Sequence, residues 1–418
     1  MHNPSQTGAD PAVPLLFTPL NMRSVRLKNR IVVAPMCQYR SIDGGPTDWH
    51  LVHLGKFAVG GAGVVFTEET AIEERGRKTH ACAGLYNDEH VTAYRRITDF
   101  IKAQGAVPAI QLGHAGRQAS CHGAELGWKP LTEEDAKAGL PPWQGVAPSP
   151  IAWSSDAAVP HELSRAEIGE MLATWKQATL RAVDSGFDIC EIHGGHGYLL
   201  HQFLSPLANK RTDAYGGDRA GRMRFVLEVA EAVRSVWPAD KPLFFRMSVV
   251  DGRGGQWFIE DSIALAAALR DLGVDLIDCS SGGMNGDGPF PPVPRVPEFQ
   301  VAYAKTLREQ AGMPTLAVGL ITSPQRAEVI LQAGEADLIA IARGAIWDPN
   351  WPAHAAAELG KHDPYAVLPG DMAFRLRDRD RHRDSYPSGS KVDIPLAPDR
   401  SVPYSWSERG EYWPAARE

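Results

Sequence analysis

Residues 187–206 read FDICEIHGGHGYLLHQFLSP, and the passage changes character partway through. FDICEI (187–192) is a short apolar run with β-branched residues, the pattern of a buried strand. Before it lies a segment of helical period, 164–185, opening Ser164-Arg-Ala-Glu167, a capping-box pattern that satisfies backbone N–H groups at a helix start. After it come two histidines three residues apart, His193 and His196, with glycines between them and Tyr198 two further on. A helix feeding a buried strand that empties into polar side chains is one unit of an alternating α/β fold.

The unit recurs along the chain. IVVAP (31–35), GVVFTEE (63–69), VPAIQL (107–112) and FDICEI are followed by LFFRM (243–247), DLIDCS (275–280), TLAVG (315–319) and DLIAIA (337–342). These runs do not alternate between apolar and polar, as expected of parallel strands covered by helices on one face and packed on the other. Further helices are expected at 260–272 and from Ser323-Pro324, where proline takes the first helical position. Eight such strands predict a (β/α)8 TIM barrel spanning 1–370, with a doubly wound sheet as the structural alternative. An insertion after strand 3, residues 116–160, is rich in Gly, Pro and Trp and should lie over the active face. Residues 371–418 form an extended C-terminal tail that contains RLRDRDRHRD. Its composition suits solvated coil, or an arm docking on a neighbouring subunit through Tyr404, Trp406, Tyr412 and Trp413.

Composition narrows the function. The 418 residues are 44% hydrophobic, enough for a sizeable core, and the net charge of −7 argues against nucleic acid or an anionic membrane as main partner. No apolar run approaches the roughly 18 residues needed to span a bilayer, and the first residues, MHNPSQTGADPAVP, lack a signal-peptide pattern. Five cysteines without C-x-x-C spacing fit reduced thiols, so a cytoplasmic location is expected.

On a barrel the chemically interesting residues gather at one end. Cys37 follows strand 1, Gln111 and His114 end strand 3, His193 and His196 end strand 4, Arg246 ends strand 5 and Arg343 ends strand 8. The C-terminal ends of barrel strands are where such enzymes carry their active sites. The histidine pair itself has three readings: metal ligands, core filler, or a clamp for an anion. A zinc site needs further ligands, and no additional His/Asp cluster is evident beside the pair.

Several blocks together resemble the old yellow enzyme family of NADH:flavin oxidoreductases, most closely its bacterial cysteine-containing ene-reductase class. They are LFTPLNMRSVRLKNRIVVAPMCQYRS (16–41), QLGHAGR (111–117), EIHGGHGYLLHQFLSPLANKRTDAYGG (191–217), FFRMSV (244–249), DLIDCSSGG (275–283), AVGLITS (317–323) and ADLIAIARGAIWDP (336–349). The resemblance implies an FMN-binding barrel reduced by NADPH or NADH, with an activated alkene as the second substrate and no metal. It implies His193 and His196 as the clamp for a substrate oxygen, Tyr198 as proton donor and Tyr39 as a substrate contact. Cofactor contacts implied are Ala34, Pro35, Met36, Cys37 and Glu69, Gln111 and Arg246 at the ring, and Gly319, Ala342 and Arg343 at the phosphate. Glu69 stands where the family usually has a small residue, and Ala342 where it usually has glycine. A homo-oligomer is expected, and SERGEYW (407–413) resembles a segment that brings an arginine, here Arg409, into a neighbouring active site. Alternatives on the same barrel are action on a cyclic amine or an aryl thioester, or flavin or metabolite binding without turnover.

Overall fold

Eight parallel strands, β1 Ile31–Val33, β2 Val64–Ala71, β3 Val107–Gly113, β4 Ile189–Gly194, β5 Leu243–Ser248, β6 Leu276–Ser280, β7 Thr315–Ala317 and β8 Leu338–Ile341, close into a barrel in chain order. All eight predicted strands are present, and they form the barrel in place of a doubly wound sheet among the described residues. This computed structural model describes residues 13–252, 254–284, 293 and 295–382, with the strand residues 404–406 and 412–414. Outside the strands lie α1 Asp48–Val59, α2 Asp88–Ala103, α3 Arg165–Asp184, α4 Arg219–Val236, α5 Ile259–Asp271, α6 Val301–Gln310, α7 Pro324–Gln332 and α8 Trp351–Glu358. The capping box at α3 forms as expected: the Glu167 amide donates to Ser164 Oγ, and the Ser164 amide donates to Glu167.

The barrel interior is built in layers, because side chains two residues apart on a strand share a face. Ala109, Ile189, Phe244 and Leu276 belong to the apolar core inside the barrel, closed below by Met22 and Leu27 of an N-terminal hairpin. Two residues further along the same four strands stand Gln111, Glu191, Arg246 and Asp278, all buried. Two further on come Gly113, His193, Ser248 and Ser280. These four strands thus step from apolar to polar or charged side chains before their C-terminal ends. A second, larger core fills the space between the strands and the helix ring.

The insertion after β3 is tied down by the block LANKRTDAYGG. Val146–Ala147 pairs in parallel with His161–Glu162, and Arg211 bridges the two strands just past their C-terminal ends. Its guanidinium donates to Pro148 O (3.1 Å) and Leu163 O (2.5 Å) and forks onto Asp213 at 3.0 and 2.6 Å. Trp143 of the insertion packs in a cluster with Ala115, Ala119 and Tyr198.

The chain divides into two units after Gly370. The charged run, for which solvated coil and a docking arm were the two readings, is helical through Gly370–His382, where Asp378 faces Arg381 at 3.5 Å, an i,i+3 pair of the kind that supports exposed helices. Tyr404–Trp406 and Tyr412–Pro414 pair antiparallel. Arg409 lies outside the described residues.

Arg211→Met keeps most of the side-chain volume but strands two buried carbonyls and Asp213. We expect it to lower unfolding free energy by about 3–5 kcal/mol in urea titrations. A wild-type midpoint would mean that the insertion is held without Arg211.

Candidate active site

After Gly194 the backbone turns left-handed, at His196 (φ 56°) and Gly197 (φ 78°). For a histidine that conformation costs on the order of 1–2 kcal/mol and persists only where the surroundings enforce it. They do so from several elements. The His196 amide donates to Ser248 Oγ (2.9 Å), which donates in turn to Gly282 O (2.7 Å). Gln118 Nε2 donates to the carbonyls of His196 and Gly197 at 3.1 and 3.0 Å. The Gly197 amide donates to His201 Nδ1 (2.9 Å), which leaves the proton on Nε2 to meet Asp251 Oδ1 at 2.8 Å. A Cβ on Gly283 would lie 2.2 Å from the His196 carbonyl carbon, so only glycine lets the β6 loop close over this turn.

The turn sets the rings of His193 and His196 facing each other, with Nε2 of the first 3.3 Å from Nδ1 of the second. His196 Nε2 is 2.6 Å from Ser280 Oγ, and His193 Nδ1 has no partner. Burial, with the positive charge of Arg246 nearby, holds both imidazoles well below the ordinary histidine range, so each is neutral and keeps one N–H. Among the described residues no group of three or more His, Cys, Asp or Glu side chains could hold a metal ion. The Tyr198 ring stands edge-on to His193 with centroids 5.2 Å apart. Burial, reinforced by the acidic groups around Cys37 and Glu69, keeps its phenol protonated far above the usual tyrosine range.

Below the histidines lies the charged layer. Gln111 Nε2 donates to Glu191 Oε1 (2.8 Å), while Arg246 Nε approaches Asp278 Oδ2 at 3.3 Å without the alignment of a hydrogen bond. Glu191 Oε2 and both Asp278 oxygens lack partners. Burial pushes both carboxyls up, and Arg246 only partly offsets it. Buried polar groups are normally satisfied, and so many orphans in one place mark a site built around a polar ligand.

The residues present suit FMN. A cavity of about 760 Å³ is lined by His196 and Ser280 and by Gly319, Ala342 and Arg343, so the expected phosphate residues border the same space as the histidine turn. Arg246 and Gln111 offer unsatisfied or shared polar atoms to a ring edge. At the end of β1, the Ala34 amide donates to Ile341 O (3.0 Å), fixing the half-buried Pro35, Met36 and Cys37 at the mouth between β1 and β8. Burial and the adjacent Glu68 raise the Cys37 thiol well above the usual range, so it is a neutral S–H and not a thiolate. Tyr39, also left-handed (φ 54°), packs edge-on against Trp128 of the insertion at 5.3 Å. Glu69 carries two buried oxygens without partners.

His114, read with Gln111 at the end of β3, takes a structural part. Its Nε2 lies 2.9 Å from Glu73, and its Nδ1 accepts from the Gly116 amide. Residues missed from the sequence are Ser248, Ser280, Gln118, Trp143 and the His201–Asp251 pair. The first two end barrel strands, so the strand-end rule applied to Arg246 reaches them too. The others act across long sequence separations and leave no local signal.

Residues 15–362 match the NADH:flavin oxidoreductase / NADH oxidase family. The NADPH dehydrogenase of Bacillus subtilis (strain 168) is 41% identical over 355 residues, covering 84% of this chain and 97% of that protein. Among solved structures, the old yellow enzyme homologue from Zymomonas mobilis superposes with a TM-score of 0.67 at 24% identity, over 82% of this chain and 93% of that one. Histamine dehydrogenase from Rhizobium sp. 4-9 gives 0.68 at 26% identity, over 83% of this chain and 48% of that one. A match that runs through every strand of the barrel and both halves of its mouth puts the chain in the NADH:flavin oxidoreductase / NADH oxidase family, as an NAD(P)H-dependent flavin oxidoreductase of the old yellow enzyme type with FMN as its cofactor.

Proposed function

We propose that this enzyme reduces activated C=C bonds of α,β-unsaturated carbonyl compounds, and of nitroalkenes, in a ping-pong cycle with NAD(P)H. The observation that carries the reading is the neutral His193–His196 pair beside the protonated Tyr198. FMN, when bound, supplies hydride to the alkene's β-carbon after receiving it from the nicotinamide. Charge then develops on the substrate's carbonyl or nitro oxygen, and imidazole N–H groups aimed at that oxygen stabilise it. Neutral imidazoles in a fixed turn need no reorganisation for this. Tyr198 gives its proton to the α-carbon, a role that a phenol held protonated across the working pH range can fill.

In the same proposal Ala34, Pro35, Met36 and the Glu69 backbone line the flavin edge, and Gln111 reads its pyrimidine side. Arg246 offsets the charge of the reduced ring, and Gly319, Ala342 and Arg343 hold the phosphate. The Cys37 thiol is a weak donor to the ring and Tyr39 a contact for the alkene. The enzyme is a homo-oligomer in this reading. A second reading, amine dehydrogenation on the same flavin, is favoured by the similarity to histamine dehydrogenase. It gives Tyr198 no proton to deliver.

Replacing His193 and His196 together by alanine should leave FMN bound and weaken phenolate ligands, which mimic the developing oxyanion. Two donors to a charged oxygen in a dry site correspond to about 3–6 kcal/mol, so affinity measured by flavin absorbance should fall by at least about a hundredfold. Unchanged phenolate affinity would remove the clamp from the account.

Tyr198→Phe separates the half-reactions. Reduction by NADPH should proceed at close to the wild-type rate, while reoxidation by an enone slows by about 10²–10⁴, the usual range for a positioned general acid. Equal slowing of both steps in stopped-flow traces would assign Tyr198 to binding instead.

A further inference from the structure

Glu69 is a carboxylic acid where the fold has no use for one. It lies two residues before the end of β2, just after a bulge that follows Phe66, in register with Gln111 on β3. Both its oxygens are buried and without a hydrogen-bond partner. Gly113 makes room for it: a Cβ there would lie 2.3 Å from Glu69 Oε1. An unpaired buried carboxyl is unfavourable when ionised, and unfavourable though less so when neutral. A packed apolar residue would serve the fold better, so the group calls for a ligand.

The groups that face it define that ligand's position. From its own strand comes Glu68, and from the loop after β2 come Lys78 and Cys82. From the β1 end come Cys37 and Tyr39, from the β4 end Tyr198, and from α2 Tyr94. Glu69 therefore shares one electrostatic neighbourhood with Cys37, Tyr39 and Tyr198, the residues around the ring. Lys78 is the cation facing it, and its ammonium lies 3.9 Å over the Trp128 ring, without an ion pair to Glu69.

We propose that Glu69 takes up a proton when the flavin is reduced, so that flavin and carboxylate together bind one more proton per two electrons than the flavin alone. Hydride leaves NAD(P)H with both electrons, and NAD(P)+ departs. The added negative charge near the ring is offset by a proton from solvent that bonds to a Glu69 oxygen. When hydride passes to the substrate, that proton returns to solvent. The inference rests on the flavin and the position of Glu69, and holds whichever substrate the reduced enzyme meets.

The pH window follows from the carboxyl's surroundings. Burial, with Glu68 adding to it, raises Glu69 to about 8. Below that value the acid is protonated before reduction and has nothing to take up. Above it the carboxylate is ionised in the oxidised enzyme, and nearby reduction raises its proton affinity further.

Proton uptake is measured by adding dithionite anaerobically to the FMN-loaded enzyme in weak buffer with a pH-indicator dye. Wild type, Glu69→Gln and Glu69→Ala are compared at pH 6 and pH 9. The expected result is equal uptake at pH 6 and, at pH 9, wild-type uptake that exceeds both variants by up to one proton per flavin. Equal uptake at both pH values, or an equal difference at both, would overturn the proposal. Wild type alone gives a further reading should the variants lose FMN. The reduced-minus-oxidised infrared spectrum at pH 9 should gain a carboxylic-acid carbonyl band, and its absence would overturn the proposal as well.

Discussion

The site depends on one backbone position. His196 occupies a left-handed conformation that an ordinary side chain avoids, and that conformation turns its ring back toward His193. Four elements hold it there: Ser248 from β5, Gly283 after β6, Gln118 from the insertion, and the His201–Asp251 pair through the next amide. Releasing the turn would separate the two imidazoles and take Tyr198, two residues on, with them. The barrel is in this sense a frame for one strained peptide, as active sites on rigid scaffolds often are.

Electrostatics follow from the layers inside the barrel. Closing eight strands places successive inward residues at fixed depth, and here depth determines charge state. Glu191 and Asp278 lie deep enough that burial outweighs the neighbouring Arg246 and both resist ionisation. The histidines one layer higher resist protonation for the same reason. The mouth is left with neutral donors and acceptors lacking partners, an expensive arrangement in an empty protein and a favourable one around a flat polar cofactor.

Much of this could be read from the chain, and the reason is local. Eight apolar runs alternating with helical segments reflect burial on both faces of each strand, which every residue of the run records. The borders moved: FDICEI was expected at 187–192, whereas the strand runs Ile189–Gly194 and includes His193 itself. The resemblance carried by the HGGHGY block is the source of the roles we propose for its histidines and tyrosine. The strand-end rule reaches Ser248 and Ser280 as positions, but which residue meets which across the chain could not be read. Ser280 meets His196 across 84 residues, and Gln118 meets it across 78 from inside an insertion whose composition suggests only loop. The helix through RLRDRDRH was hidden because charged sequence without an apolar stripe gives no periodic signal.

In the reaction we propose, this mouth stabilises charge developing on an oxygen while a phenol supplies a proton to carbon. The most direct test is a stopped-flow comparison on the wild-type enzyme without oxygen. Enzyme reduced by NADPH is mixed with 2-cyclohexenone, and oxidised enzyme is mixed with a cyclic amine. The account predicts rapid return of the oxidised flavin absorbance with the enone and no bleaching by the amine. Bleaching by the amine, with reduced flavin that persists in the presence of the enone, would contradict it.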